Sequence, residues 1–296
     1  MLISVIVPHF NQEAHLRTCL ERLTAQTGRT GRCEIIVVDN GSRRLPEEVV
    51  RDFPGVMLLS EKTPGPGPAR NRGIEAAQGD ILAFIDADCH ADSGWLAAIE
   101  AAFGAKDRPI IGGDVRLGYL DPAHPRFHEP YEAIYSFRNE MHIAEGYSGT
   151  GNLAVRAEVQ RDVGPFAGIG VAEDRDWGMR ARKLGYVTTY VPAMIVYHPA
   201  RNAFSELTGK WDRHIAHDYS EKANGIAGKA KWVLRAVAML GSPVAELRTI
   251  ATSPRLDGPG QRLKALACLT LIRGYRSYMM LRTMIAGVPK SDWSRG

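Results

Sequence analysis

The stretch "GDILAFIDADCHAD", residues 79–92, decides how this chain is read. Ile81 to Ile85 form a short apolar run with the character of a buried strand. The run leads straight into Asp86 and Asp88. A carboxylate at the end of a buried strand is costly unless something positive meets it. On a continuing strand the two acids would face opposite sides. At a strand end the backbone turns, so one can reach a metal and the other a neighbouring hydroxyl. Carboxylate oxygens suit hard divalent cations, Mg²⁺ or Mn²⁺, which also take phosphate oxygens and water. A bare D-x-D also fits a solvated turn, but the strand in front of this one favours a site.

Outward from that stretch, "LISVIVP" (2–8) and "CEIIVVDN" (33–40) are β-branched runs ending in turn residues, and "VMLLSE" (56–61) is a third strand. Between the first two, Leu16, Leu20 and Leu23 fall on one helical face, with Asn11 placed to cap the helix start. "PARNRGIEAAQG" (68–79) is a helix stopped by Gly79, and another helix covers 93–103. "RPIIGGDVRL" is a strand, and "SGTGNLAVRAEVQRDVG" is loop, strand and helix. A helix starts at Glu173 and stops at Gly185, and "VTTYVPAMIVYHP" closes the body as one or two strands. Residues 118–148, rich in Pro, His and aromatics, show no clear period.

Alternation of this kind predicts an α/β fold with a mostly parallel sheet covered by helices on both faces. Ligands of such sheets sit beyond the carboxyl ends of the strands, at a topological switch point. Pro8–Asn11, Asp39–Ser42 and Asp86–Asp88 would then lie along one rim.

The chain has 296 residues, 45% hydrophobic and 24% charged, enough for a large α/β domain with an appendage. The reading places the body at 1–225 and a basic helical region at 226–296. The net charge of +4 is unevenly spread. Residues 229–296 hold 12 Lys/Arg against 3 Asp/Glu, and the preceding residues hold 25 against 30. An acidic body with a basic end argues against nucleic acid as a ligand and points the end at an anionic surface. "KAKWVLRAVAML" is a helix, "SPVAELRTIA" starts another with Pro243 in its first turn, and "RLKALACLTLIRGYRSYMMLRTMIAG" is a long one. The uncharged run of the last, Ala265 to Ile272, is far short of the ~20 residues of a membrane span. Surface-lying helices and a helical subdomain packed on the body or on a second subunit, as in a homodimer, both fit. Cys19, Cys33, Cys89 and Cys268 are widely spaced with no CxxC pair, and the first residues lack a signal-peptide pattern. Both observations lead to the expectation of a cytoplasmic protein, open to peripheral attachment at the inner face of the plasma membrane.

Single residues carry alternatives. Asp39 can accept hydrogen bonds from a ribose or base N–H, or Asp39 or Asn40 can make a helix cap or an Asx-turn. Arg70 can neutralise a diphosphate or pair with acids, and Asn71 can reach a base edge. Glu173 and Asp174 fit a helix dipole as well as a catalytic role. His214 and His217 fit half a metal site or a solvated helix face.

Taken together, "VIVPHFNQEAHL", "EIIVVDNGS", "PGPARNRGIEAAQGDILAFIDAD" and "EDRDWGMRARKLGY" resemble glycosyltransferase family 2, inverting sugar transferases of GT-A fold. The resemblance covers residues 1–200 and implies a non-processive enzyme. It implies that the Pro8–Glu13 segment, with Pro8, Asn11 and Glu13, and Asp39 hold the nucleotide, with Arg70 and Asn71 beside it. Asp86 would contact the ribose, Asp88 the divalent metal, and His198 would be a further metal ligand. Asp174, next to Glu173, would be the general base. The implied donor is a nucleotide-diphosphate sugar, a UDP-sugar first. The basic C-terminal region points to a glycan or lipid-linked glycan acceptor of cell-surface biosynthesis. Arg43 and Arg44 stand where the family often has a further Asp, and the Q-x-x-R-W of processive synthases is missing. The rival readings are a catalytically weak scaffold of the same fold and a nucleotidyltransferase. The slot after the first strand, "PHFNQE", lacks the glycine-rich phosphate loop that the second needs.

Overall fold

The computed structural model describes residues 1–28, 31–105 and 107–287. They form two compact units, one made of Met1–Gly118 and Arg138–Pro199, the other of Tyr119–Phe137 and Ala200–Gly296.

The first unit holds all eight strands in one sheet. These are β1 (Leu2–His9), β2 (Arg32–Asp39), β3 (Val56–Ser60), β4 (Ile81–Phe84), β5 (His90–Ala91), β6 (Ile110–Gly118), β7 (Leu153–Arg156) and β8 (Thr188–Pro199). Their order is β3-β2-β1-β4-β7-β6-β8-β5. The β3-β2-β1-β4 half is parallel throughout. Beyond it the sheet is mixed, yet six of its eight strands run one way, so it is mostly parallel as expected. β7 runs antiparallel to both β4 and β6, β8 is parallel to β6, and β5 is antiparallel to β8. Apolar alternation records which face a residue takes, but it is blind to strand direction.

Helices α1 (Glu13–Thr24), α2 (Glu47–Arg51), α3 (Pro66–Ala76) and α4 (Trp95–Gly104) lie between the parallel strands or just after them. The short α6 (Asn139–Glu145), α7 (Ala157–Val163) and α8 (Glu173–Lys183) complete the unit, α5 (Glu129–Tyr135) belonging to the other. Because side chains alternate along a strand, each strand feeds two cores. Ile3, Val5 and Val7 of β1 pack with Leu16, Cys19, Leu20 and Leu23 of α1 and with Trp95 and Ile99 of α4. Ile6 of β1 and Phe84 of β4 join Val159, Val163, Phe166 and Trp177 on the other face. The layers are therefore helix, sheet, helix, and the carboxyl ends of β1, β2 and β4 open at one rim.

The second unit holds α5 (Glu129–Tyr135), α9 (Phe204–Lys222), α10 (Gly225–Ala245), α11 (Leu247–Thr252) and α12 (Gly258–Ala286). Ile215, Trp232, Met239, Met279 and Met280 make its core, and the Trp232 indole N–H donates to the Met280 carbonyl at 2.9 Å. The boundary read at 225/226 falls just after the first residue of α10, inside this unit. Pro243 does not open a new helix. It sits inside α10, and α11 starts at Leu247. Among the described residues, no helix is long and apolar enough to cross a membrane.

Candidate active site

At the rim, β1 and β2 end in register, His9 opposite Asp39. His9 Nδ1 lies 2.9 Å from Asp39 Oδ1, both side chains buried, and His9 Nε2 accepts the Gln12 N–H at 3.1 Å. That second bond fixes the tautomer, so Nδ1 carries the proton and donates to Asp39. The other oxygen of Asp39 accepts the N–H groups of Gly41 and Ser42 at 3.2 and 3.0 Å, an Asx-turn. Asp39 thus braces the two loops that leave β1 and β2.

Asn11 does not cap α1. Its φ of 52° aims it across to the β2 loop, where its N–H donates to Ser42 Oγ at 2.8 Å and its Oδ1 accepts the Arg43 N–H at 2.9 Å. The residue at the helix cap is Gln12, without a side-chain bond. Pro8 is half-buried opposite Val38, and Glu13 occupies the first turn of α1. Asn40 extends the brace to the next loop. It donates to the carbonyls of Glu61 and Thr63 and accepts the Gly65 N–H at 2.7 Å.

Gly65 starts α3 at a φ of 120°, and a side chain on Gly67 would strike the Ala167 carbonyl. These glycines let the loop before α8 lie on α3. Asn71 fastens it, donating to the Phe166 carbonyl and accepting the Phe166 N–H, both at 2.9 Å. Both ends of the amide are therefore committed to this loop.

One turn along α3 from Gly67, Arg70 is 2% exposed. Its Nη2 donates to Asp86 Oδ1 at 2.7 Å and its Nη1 to Glu173 Oε1 at 2.9 Å. Its Nε is buried with no partner among the described residues. The diacidic turn after β4 and the acidic start of α8 thus share one guanidinium.

Asp86, Asp88 and Cys89 are the one group of three possible metal ligands among the described residues. Burial and the two neighbouring acids push the Cys89 thiol well up, so it stays protonated and is a poor ligand for a hard cation. His198, at the end of β8, supplies a better partner. Its Nδ1 lies 2.9 Å from the Pro199 carbonyl, which can only accept, so Nδ1 carries the proton. Its Nε2 lies 3.5 Å from Asp88 Oδ2. An imidazole nitrogen and a carboxylate oxygen this close can both reach one divalent cation. His214 and His217 have no such setting: His214 lies against Trp211, and His217 pairs with Glu221.

Asp174 makes no ion pair to a described residue, and its Oδ1 accepts the Arg175 N–H at 2.7 Å. Burial raises its pKa above the ordinary aspartate value, and neighbouring Glu173 adds to the shift. The two acids at the start of α8 are therefore inequivalent. Glu173 is neutralised by Arg70, while Asp174 has no cation bonded to it.

The sequence reading passed over His9, Gly151 and Asn152. A side chain on Gly151 would come within 2.9 Å of Asp86 Oδ2. Asn152, fully buried, accepts from the Trp95 indole and donates to the carbonyls of Asp114 and Met194. "SGTGN" carried a glycine signal for this close approach, whereas the hub made by Asn152 has none.

The family described as Glycosyl transferase family 2 matches residues 4–170. Glycosyltransferase AglE of Haloferax volcanii is 34% identical over 215 residues, covering 70% of each chain. The pre-mycofactocin glycosyltransferase of Mycobacterium tuberculosis is 27% identical over 213 residues, 67% of this chain and 43% of its own length. Among solved structures, the mannosyltransferase PcManGT of Pyrobaculum calidifontis, in complex with GDP-Man and Mn²⁺, superposes with a TM-score of 0.56 at 20% identity, covering 99% of this chain and 88% of that one. TarS of S. aureus in complex with UDP-GlcNAc gives 0.52 at 16% identity, covering 98% and 93%. These two solved structures share its GT-A fold. On the family match and the likeness to AglE, the chain belongs to glycosyltransferase family 2.

Proposed function

We propose that this glycosyltransferase moves a sugar from a nucleotide-diphosphate donor to an acceptor hydroxyl with inversion, using Asp174 as general base. The observation that carries the reading is Arg70. By binding Asp86 and Glu173 together it ties the diacidic turn to the helix that presents Asp174. The acids that bind the donor side and the acid that deprotonates the acceptor then work on one pair of substrates.

Asp88 and His198 are the residues suited to hold a divalent cation of the Mg²⁺ or Mn²⁺ class, with Asp86 beside them. When bound, that cation supplies Lewis-acid neutralisation of the departing diphosphate. The loops braced by Asp39, Asn40 and Asn11 form the shelf for the nucleotide, with Pro8 and Glu13 at its edge. Asn71 acts by fixing the Phe166 loop rather than by reaching a base. Asp174, desolvated and without a cation bonded to it, takes the proton from the acceptor hydroxyl. General-base help of this kind is worth about 10²–10⁴-fold. Glu173 orients Arg70 and keeps a second negative charge from competing for that proton.

Catalysis is assigned to residues 1–225, with 226–296 as an accessory region. PcManGT is named with GDP-Man and TarS with UDP-GlcNAc, so both nucleotide classes belong in the first donor screen. The acceptor we favour is a glycan or lipid-linked glycan. Thermal-shift screening of UDP- and GDP-sugars with and without Mn²⁺ tests the donor reading, because a ligand selective for the native state raises the melting temperature. A metal-dependent rise with one nucleotide class supports it. No rise with any sugar nucleotide, in either condition, favours the scaffold alternative.

A further inference from the structure

The solvent side of α10 carries an apolar stripe that the second unit does not use. Ile226, Leu234, Val237, Leu240 and Val244 are 90, 70, 55, 58 and 71% exposed. At 3.6 residues per turn they fall within about a third of the helix circumference and extend along about 27 Å of it. The packed side of the same helix is a different set: Trp232, Ala236 and Met239, buried with Met279 and Met280. So α10 has two apolar faces, and the fold buries one. Contiguous apolar surface of this kind marks an interaction site.

The charges on α10 itself have one sign. Lys229, Lys231 and, just beyond, Arg248 are exposed, and no acid occurs between Gly225 and Ala245. The acids beside the helix are engaged: Asp218 by Arg235 at 3.6 Å and by Lys222, Glu221 by His217 at 3.3 Å, and Glu246 by the Tyr135 hydroxyl at 3.1 Å and by Arg273 at 3.8 Å. A second copy docking stripe to stripe would bring like charges together, which disfavours that occupant. An anionic bilayer complements both features: its acyl boundary takes the apolar side chains and its headgroups the cations.

We propose that α10 lies on an anionic membrane surface, with the Ile226–Val244 stripe at the acyl boundary and Lys229, Lys231 and Arg248 against the headgroups. Residues 226–296 then act as a membrane-docking region. The inference is independent of the donor chemistry, because partitioning is measured with no sugar nucleotide present.

The test is co-sedimentation of the full chain with sucrose-loaded vesicles of phosphatidylcholine alone, or of equal parts phosphatidylcholine and phosphatidylglycerol, at low and high salt. The expected result is pelleting with the anionic vesicles only, weakened by salt. Leu234→Asp with Val237→Asp should reduce partitioning at least about tenfold by losing buried apolar area, at unchanged melting temperature. Lys229→Glu with Lys231→Glu should reduce it about fivefold for each lysine lost. Val187→Asp, at a residue 69% exposed in the other unit, should have no effect. Should the aspartate pair unfold the chain, the lysine pair decides alone, since those side chains are exposed. Failure of the unaltered chain to pellet with anionic vesicles overturns the proposal, as does equal pelleting of the folded variants. A dimer in gel filtration that the same substitutions dissociate, with no vesicle binding, assigns the stripe to a second copy instead.

Discussion

Arg70 and Glu173, 103 positions apart in the chain, meet at 2.9 Å. Asp86 takes the other arm of the same guanidinium at 2.7 Å, so one buried side chain holds the diacidic turn and the start of α8 in register. A planar fork with fixed donors can serve two carboxylates at once, whereas an ammonium offers a single point charge.

Arg70 is therefore expected to matter for both stability and turnover. Arg70→Met leaves Asp86 and Glu173 facing each other without a cation, and although both carboxylates are partly exposed to water, losing a charge-assisted hydrogen bond of this kind costs about 1.5–3 kcal/mol. Thermal denaturation should show the loss, and a transfer assay should show lowered turnover in the fraction that remains folded. Arg70→Lys should recover part of the stability and little of the turnover. Wild-type melting and activity in Arg70→Met would show that the bridge has no structural or catalytic role.

Metal dependence should follow Asp88 and His198. Chelation should abolish transfer, and added Mn²⁺ should restore it. His198→Gln should raise the Mn²⁺ concentration needed for half-maximal activity by at least about tenfold, the scale on which metal sites respond to a lost supporting group. Asp88→Ala should go further. Titrations of donor binding against Mn²⁺ measure this directly, and an unchanged metal requirement in His198→Gln would remove the histidine from the site.

The acidic limb of the pH profile should be displaced by Asp174. Its pKa is raised, first by burial and then by Glu173, and a general base works only when deprotonated. Values of kcat/KM should therefore fall as pH drops through a pKa above the ordinary aspartate value of about 3.9. The stability effect has the opposite sign. The folded state favours the protonated form, so Asp174 contributes most to stability at low pH and loses that contribution as pH rises through its folded pKa. Asp174→Asn should accordingly melt no lower than the unaltered chain at neutral pH. A clear drop in melting temperature would make Asp174 a structural residue.

Some of this was legible in the residues. β1, β2 and β4 are β-branched or apolar runs ending in polar turns, and the rim they form follows from local pattern alone. The helix expected at Glu173 starts there, because acids gather in its first turn. Other features have no local signature. The reversal of β7 is set by its neighbours, and its apolar alternation would look the same in either direction. Residues 118–148 resisted assignment because α5 and α6 are only 7 residues each, and α5 buries Glu129 and Glu132 among its apolar residues. Glu132 is held by Arg201, and Glu129 accepts the N–H groups of Arg126 and Leu120, partners remote from any helical period. Asn11 carried the composition of a helix cap, yet its left-handed backbone turns it toward Ser42 and Arg43. Arg70 was seen with both of its options open, and only the fold shows that its two acids come from separate segments.

The central claim is that Asp174 removes the acceptor proton at a site where Asp86 and Asp88 hold the donor. The most direct measurement pairs donor affinity with turnover in Asp174→Asn, in the presence of Mn²⁺. The account predicts donor binding close to that of the unaltered chain and turnover lower by about 10²–10⁴-fold. Turnover near the unaltered level, with donor binding intact, would contradict it.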